Sequence, residues 1–338
     1  MIAIRDIPRR LWHGTVDHLD VPLFMITVAI MCVGLATVFS ATYDSNNRLI
    51  GQLINMTFAF ALMWGVAQLP PQKLMRFAVP LYLLGMVLLV LVFLFGVKVN
   101  GARRWLNIGI TRIQPSEIMK IAMPLMLAWY FHKYEAALKI RHYAIAAVLL
   151  IVPFGLVAKQ PDLGTAILIG AAGFYVLFLA GLQWKIIFGL MAAGAAAAPM
   201  LWTVLHDYQK KRILTLIDPT SDPLGSGYHI IQATIAIGSG GPTGKGWLQG
   251  TQTHLEFIPE KHTDFIFAVF SEEWGLVGNT VLLILYLLLI GRGLMITANA
   301  STLFSRLLAG SITLSLFTYA FVNMGMVSGI MPVVGVPL

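Results

Sequence analysis

Long apolar runs recur along the chain at residues 21–43, 51–69, 76–96, 116–131, 143–158, 163–181, 184–205, 274–290 and 304–328, with short polar or basic stretches between them. A helix needs about 20 residues to cross the hydrocarbon core of a bilayer. The runs therefore predict nine membrane-spanning helices. An outer-membrane barrel is excluded, because its segments are short and alternate in polarity. The runs at 116–131 and 143–158 are short, which predicts spans that tilt or sink partly into the bundle. The first run is too long for the core of a cleavable signal, and residues 1–20 before it mix both charge signs. The pattern predicts an all-α polytopic membrane helical bundle: a cytoplasmic segment over residues 1–20, then a single transmembrane domain over residues 21–338.

Orientation follows from Lys and Arg in the short loops, which favour the cytoplasmic side. With residues 1–20 cytoplasmic, that side holds Arg5, Arg9, Arg10, Lys73, Arg76, Lys133, Lys139, Arg141, Lys185, Arg292 and Arg306. The short loops opposite hold only Arg48, Lys98, Arg103, Arg104, Arg112 and Lys159, with residues 206–261 left out because long loops cross regardless of charge. Residues 206–261 form the one large loop, which this orientation makes extracytoplasmic. Residues 97–115 carry four of the six opposing charges. Positive charge on the disfavoured side points to something anionic bound there.

Composition agrees. Of 338 residues, 58% are hydrophobic and 11% charged, with a mean hydropathy of +0.79. Soluble domains are about 45–50% apolar and about 25% charged. A soluble enzyme, a disordered chain and a disulfide scaffold are excluded. The net charge of +8 is spread between apolar runs. It fits anionic lipid headgroups and orientation signals better than nucleic acid. The lone Cys32 excludes an intrachain disulfide and a cysteine metal site, and reads as a small buried hydrophobe.

Several polar residues carry candidate chemistry. Glu117 and Lys120 sit three apart at the start of the fourth run, on one helix face. They read as a helix-entry ion pair or, for the deeper Lys120, as a functional cation. Lys159-Gln-Pro-Asp-Leu-Gly164 reads as a turn with Asp162 as a possible cap, or as a carboxylate at the mouth of the bundle. Gly238-Ser-Gly-Gly-Pro-Thr-Gly-Lys-Gly246 is not a P-loop, because Ser239 and Gly246 stand where that motif needs Gly and Ser or Thr. It reads as a plain loop, or as backbone able to approach a phosphate or sugar closely. His254, Glu256, Glu260, His262 and Asp264 cluster without metal-ligand spacing. If Thr263 or His262 caps a helix, Asp264 lies in its first turn, facing the outer loop, placed to act as a general base. Gly325 and Gly329 form a small-residue pair, open to intramolecular packing or to a partner's helix.

Taken together, Ala102-Arg-Arg-Trp-Leu106, Gln114-Pro-Ser-Glu117 with Lys120, Gln160-Pro-Asp-Leu-Gly164, Gly244-Lys-Gly-Trp247, Pro259-Glu-Lys-His-Thr-Asp-Phe265 and Asn323-Met-Gly-Met-Val-Ser-Gly329 resemble the SEDS family (shape, elongation, division and sporulation). The likeness is to its elongation branch rather than its division branch. It runs from about residue 20 to the last residue. The resemblance implies ten helices with both termini cytoplasmic in the bacterial inner membrane. This sequence stops where the family continues into a tenth helix, so nine spans are expected here.

The resemblance further implies a peptidoglycan glycosyltransferase that polymerises lipid II into β-1,4 glycan strands during elongation and rod-shape maintenance. Its implied partners are lipid II, the nascent strand, a class B penicillin-binding protein as transpeptidase, and other membrane proteins of the elongation complex. It makes Asp264 the essential acidic residue and carries Glu117, Lys120 and Asp162 over as motif positions. The pyrophosphate of such a substrate needs cations, for which Arg103, Arg104 and Lys120 are candidates and Lys245 a weaker one. A divalent cation, Mg²⁺ or Mn²⁺, is compatible with that leaving group, although the sequence shows no dedicated metal cage. The competing expectations are a lipid II flippase, which calls for charges through the whole depth, and a non-catalytic scaffold, which leaves Asp264 and Lys120 without a task.

Overall fold

The computed structural model describes residues 19–338 apart from 43–45, 100–101, 108, 110–111, 206, 223–224, 256, 259 and 337. Arg5, Arg9, Arg10 and Glu256 thus lie outside the described residues. In chain order the principal helices are α1 Val21–Ala41, α2 Asn46–Ala67, α3 Pro71–Phe95, α4 Pro115–Lys133, α5 Ile140–Lys159, α6 Leu163–Leu179, α7 Trp184–Val204, α8 Asp207–Ile217, α9 Ser226–Gly240, α10 Ile266–Ala298 and α11 Leu303–Val327. Each predicted apolar run falls on one of these. Six of them (α1, α2, α3, α5, α10 and α11) are long and apolar enough to cross a membrane. This is a multi-pass membrane protein.

Three features depart from the sequence pattern. Residues 206–261, expected as a loop, contain α8 and α9. The first is rich in Lys and Arg, and the second is only 15 residues long, so neither reads as a span. Residues 97–115 are not a plain loop in an all-helical chain. They form a three-stranded antiparallel meander, β1 Val97–Val99, β2 Ala102–Asn107 and β3 Arg112–Ile113. Its register pairs Lys98 with Arg103 and Leu106 with Ile113. Cys32, expected inside, is exposed on α1, a helix whose apolar surface a bilayer would cover.

Helix starts follow local chemistry. Asp20 caps α1 by accepting from the Leu23 amide at 3.0 Å. Asp162 caps α6 by accepting from Thr165 N at 3.3 Å. Pro115 opens α4, which puts Glu117 in its first turn, where the helix dipole favours a carboxylate.

The chain divides into two compact units, Met1–Leu74 with Ala236–Arg292, and Met75–Ile235 with Gly293–Leu338. In the second, α4, α5, α6 and α11 pack on one another. Met119, Met123, Leu127 and Phe131 of α4 are fully buried at four-residue spacing, one stripe of a helix. Polar bonds tie the helices where no water is available. The Ser311 hydroxyl donates to Ala172 O at 2.7 Å, and Gln160 Nε2 donates to Leu89 O at 3.0 Å. Asn323 Nδ2 donates to Val336 O at 2.7 Å, which holds residues 331–336 back against this unit. Gly325 is buried beside Met331, and Gly329 follows the end of α11 with φ +71, facing Ile230. The pair is therefore not a helix face open to a partner; its space is taken within the protein.

In the first unit, α1 is fastened at both ends. At its start, Arg292 donates to both Asp20 oxygens, at 2.9 and 2.7 Å. That guanidinium holds the Asp20 carboxyl below its ordinary range. At the far end, Trp247 Nε1 donates to Ala36 O at 3.2 Å, and the Ser40 hydroxyl donates to Glu273.

Candidate functional site

The first unit holds a helix interrupted by another segment. Inside α10, Gly275 takes φ 62 and ψ −159. In a regular helix Leu276 N and Val277 N would donate to the carbonyls of Glu272 and Glu273, four residues back. Here Lys245 N and Gly246 N take those carbonyls, each at 3.0 Å. Leu276 N donates instead to Gly241 O at 2.9 Å, and Val277 N to Pro242 O at 3.0 Å. The strap, residues 241–253, is thus spliced into the helix through 241–246, and the broken bonds are made good. Two glycines serve this approach, one in the strap and one in the helix. A Cβ on Gly244 would strike the Glu273 carbonyl, and one on Gly275 would strike the Gly244 amide.

The strap then meets a buried carboxylate. Glu272 is 0% exposed. Its Oε1 accepts from Lys245 Nζ at 2.7 Å, Gln252 N at 2.9 Å and Thr251 Oγ1 at 3.2 Å. Its Oε2 accepts from Thr253 N at 3.2 Å and Thr253 Oγ1 at 3.1 Å. A charge removed from water persists only with this kind of saturation. Lys245, a sequence candidate for phosphate, is committed here.

Asp264 belongs to the same unit. It lies not in a helix but in the turn before α10, which begins at Ile266. The turn closes through Thr263 N and Phe265 N, which donate to Glu260 O at 3.0 and 3.3 Å. Buried Ile258 and Phe265 pin it on either side, and Asp264 between them is half-buried. Lys261 Nζ donates to Thr253 O at 2.9 Å, which joins this turn to the strap.

The second unit brings the other candidates together in two groups. Arg104 on β2 donates to Pro161 O, and its Nε lies 3.9 Å from Asp162 Oδ2. Gln114 Nε2 donates to that same oxygen at 3.1 Å. Arg103, next along the strand, is exposed. On α4, Lys120 Nζ lies 2.6 Å from Glu117 Oε2 and 5.4 Å from the centre of the Tyr319 ring. Among the described residues, no three His, Cys, Asp or Glu side chains gather as a metal cage.

Sequence reasoning passed over Glu272 and Glu273. Two adjacent carboxylates next to an apolar run are the signal, since ionisable groups at membrane depth mark function. The predicted span began at 274, just past them, so they read as boundary residues.

The profile of the FtsW/RodA/SpoVE family, described as cell cycle protein, matches residues 13–338. The peptidoglycan glycosyltransferase MrdB of Escherichia coli K12 is 51% identical over 334 residues, covering 98% of this chain and 90% of that protein. The peptidoglycan glycosyltransferase RodA of Treponema pallidum is 29% identical over 401 residues, covering 96% and 92%. Among solved structures, a chain of a peptidoglycan synthase complex that coordinates polymerization and crosslinking matches with a TM-score of 0.80 at 34% identity, covering 94% and 90%. The rod shape determining protein RodA of Thermus thermophilus matches with a TM-score of 0.68 at 29% identity, covering 94% and 88%. With a family match across nearly its whole length and a relative identical at half its positions, the chain belongs to the FtsW/RodA/SpoVE family of cell cycle proteins, as its SEDS motifs imply.

Proposed function

We propose that the chain is a peptidoglycan glycosyltransferase of the bacterial inner membrane. It polymerises lipid II on the extracytoplasmic face, with a class B penicillin-binding protein as its transpeptidase partner. The relatives named as peptidoglycan glycosyltransferases support the activity, and the similarity to a synthase-complex chain supports the partner. Nine spans, a cytoplasmic residue 1–20 segment and the outer position of residues 206–261 are part of the same reading.

The observation that carries the mechanism is Asp264, half-buried in a turn whose flanking side chains are anchored. The acceptor sugar hydroxyl attacks the anomeric carbon of the donor. The new C–O bond forms as the bond to the pyrophosphate breaks, and undecaprenyl pyrophosphate leaves with that electron pair. The hydroxyl proton passes to the Asp264 carboxylate. One direct displacement inverts an α-linked donor to a β-1,4 product. Arg103, Arg104 and Lys120 supply positive charge for the pyrophosphate, oriented by Asp162 and Glu117. Lys245 is left out of this set, because its ammonium is paired with Glu272. A divalent cation, Mg²⁺ or Mn²⁺, is compatible with the pyrophosphate leaving group in this reading.

Purified protein incubated with lipid II, with no other polymerase present, tests this reading. Asp264→Asn keeps size and most hydrogen bonding but cannot take the proton. Loss of a general base costs about 10²–10⁴ in rate, so glycan strands should disappear while the protein still inserts and accumulates. Near-parental polymerisation by Asp264→Asn would remove Asp264 as the base and return attention to Asp162 and Glu117.

A further inference from the structure

We propose that Glu272 is a positioning residue for this reaction, acting through the strap to set the turn that carries Asp264. The proposal rests on the reading of Asp264 given above.

The link is continuous. Glu272 is wholly buried and accepts five hydrogen bonds, every one from the segment Lys245–Thr253. Both the amide and the hydroxyl of Thr253 point at Glu272, which leaves the Thr253 carbonyl to accept from Lys261 Nζ at 2.9 Å. Lys261 stands three residues before Asp264, inside the same closed turn. The strap is also fixed on its other side by the splice into α10, where the Glu272 carbonyl itself accepts from Lys245 N. One residue therefore holds the strap by its side chain and its backbone together. Gly250 closes on the same carboxylate: a Cβ there would come within 2.8 Å of Glu272 Oε2.

This arrangement assigns Lys245 a task that differs from phosphate binding. Lys245 Nζ bonds both Glu272 Oε1 and Thr251 Oγ1, each at 2.7 Å. It neutralises the buried carboxylate and completes its shell. Removing either partner leaves the other charge uncompensated. The strap then loosens, and the general base moves off its mark. Misplacement of a reacting group by about 1 Å costs about 10²-fold in rate. Substrate affinity depends on other residues and should hardly change.

The full-length protein, purified and assayed on lipid II, separates these roles. Glu272→Gln and Lys245→Met should each lower kcat by about tenfold to 100-fold, with KM for lipid II within about threefold of the parent. Lys245→Arg, which keeps the charge, should restore most of the rate. The double variant should be little slower than the slower single, as expected of a coupled pair. Amide hydrogen exchange gives a readout free of catalysis: Gln252 and Thr253 should lose protection in Glu272→Gln. A Lys245→Met variant with kcat intact and KM raised more than tenfold would overturn the proposal, making Lys245 a substrate ligand. So would Glu272→Gln with unchanged exchange and unchanged kcat. Should Glu272→Gln fail to accumulate, Lys245→Met, altered at a partly exposed side chain, carries the same test. Asp264→Asn assayed in parallel keeps the two ideas apart: if it stays active the base assignment fails, while loss of protection in Glu272→Gln still reports the strap.

Discussion

Lys120 holds its charge between a carboxylate and an aromatic ring, and the two neighbours differ in what they contribute. Glu117 is 53% exposed at its side chain and Lys120 only 19%. An i,i+3 pair with one solvated partner is worth about 0.2–0.5 kcal/mol. Structural coupling is thus too small to account for a cation placed a turn inside α4. A double-mutant cycle with Glu117→Gln and Lys120→Met should give a stability coupling below about 1 kcal/mol, while Lys120→Met raises KM for lipid II. Large coupling with unchanged KM would make Lys120 a structural residue. At this scale the sequence was readable wherever chemistry is local. The Asp162 cap, Pro115 at a helix start and Glu117 in the first turn all follow from neighbours within four residues. Glu272 was not readable, since its partners lie 19 to 27 residues away in the chain.

At the scale of elements, the apolar runs located their helices because hydropathy is a property of consecutive residues. The splice was invisible for the converse reason. Glycines at 241, 244 and 246 announce a loop, but not what backbone they approach. The structure separates two requirements that glycine can meet there. Gly241 has φ +56 with open space around its missing Cβ, whereas Gly244 has φ +81 and faces the Glu273 carbonyl. Gly241→Ala should cost only the left-handed backbone penalty, about 1–2 kcal/mol. Gly244→Ala adds a collision with backbone that cannot give way. It should lower the thermal midpoint in detergent well beyond Gly241→Ala and expose Leu276 and Val277 to amide exchange. Equal effects at the two sites would show that close approach contributes nothing.

At the scale of the whole molecule, two fastenings mark the ends of α1: Asp20 with Arg292 at its start, and Trp247 with Ala36 towards its end. The topology expected from the Lys and Arg asymmetry puts residues 1–20 and Arg292 on one side of the membrane and the strap on the other. In a Cys32→Ala background, Thr220→Cys should react with an impermeant thiol reagent in intact spheroplasts, and Glu135→Cys only after lysis. The reverse pattern would invert the topology. The break at Gly275 also bears on how the protein is made. A straight α10 of 33 residues would measure about 50 Å at 1.5 Å per residue, against a hydrocarbon core of about 30 Å. Residues 276–298 alone, about 34 Å, suffice to cross. A nascent chain can therefore be threaded through its insertion machinery with that stretch as the stop, which in the proposed topology leaves the turn bearing Asp264 outside. The strap leaves the ribosome earlier, so it is already waiting when Gly275 emerges. In the proposed topology, the splice beside the Asp264 turn then forms only when a previously exported segment closes onto a freshly inserted helix.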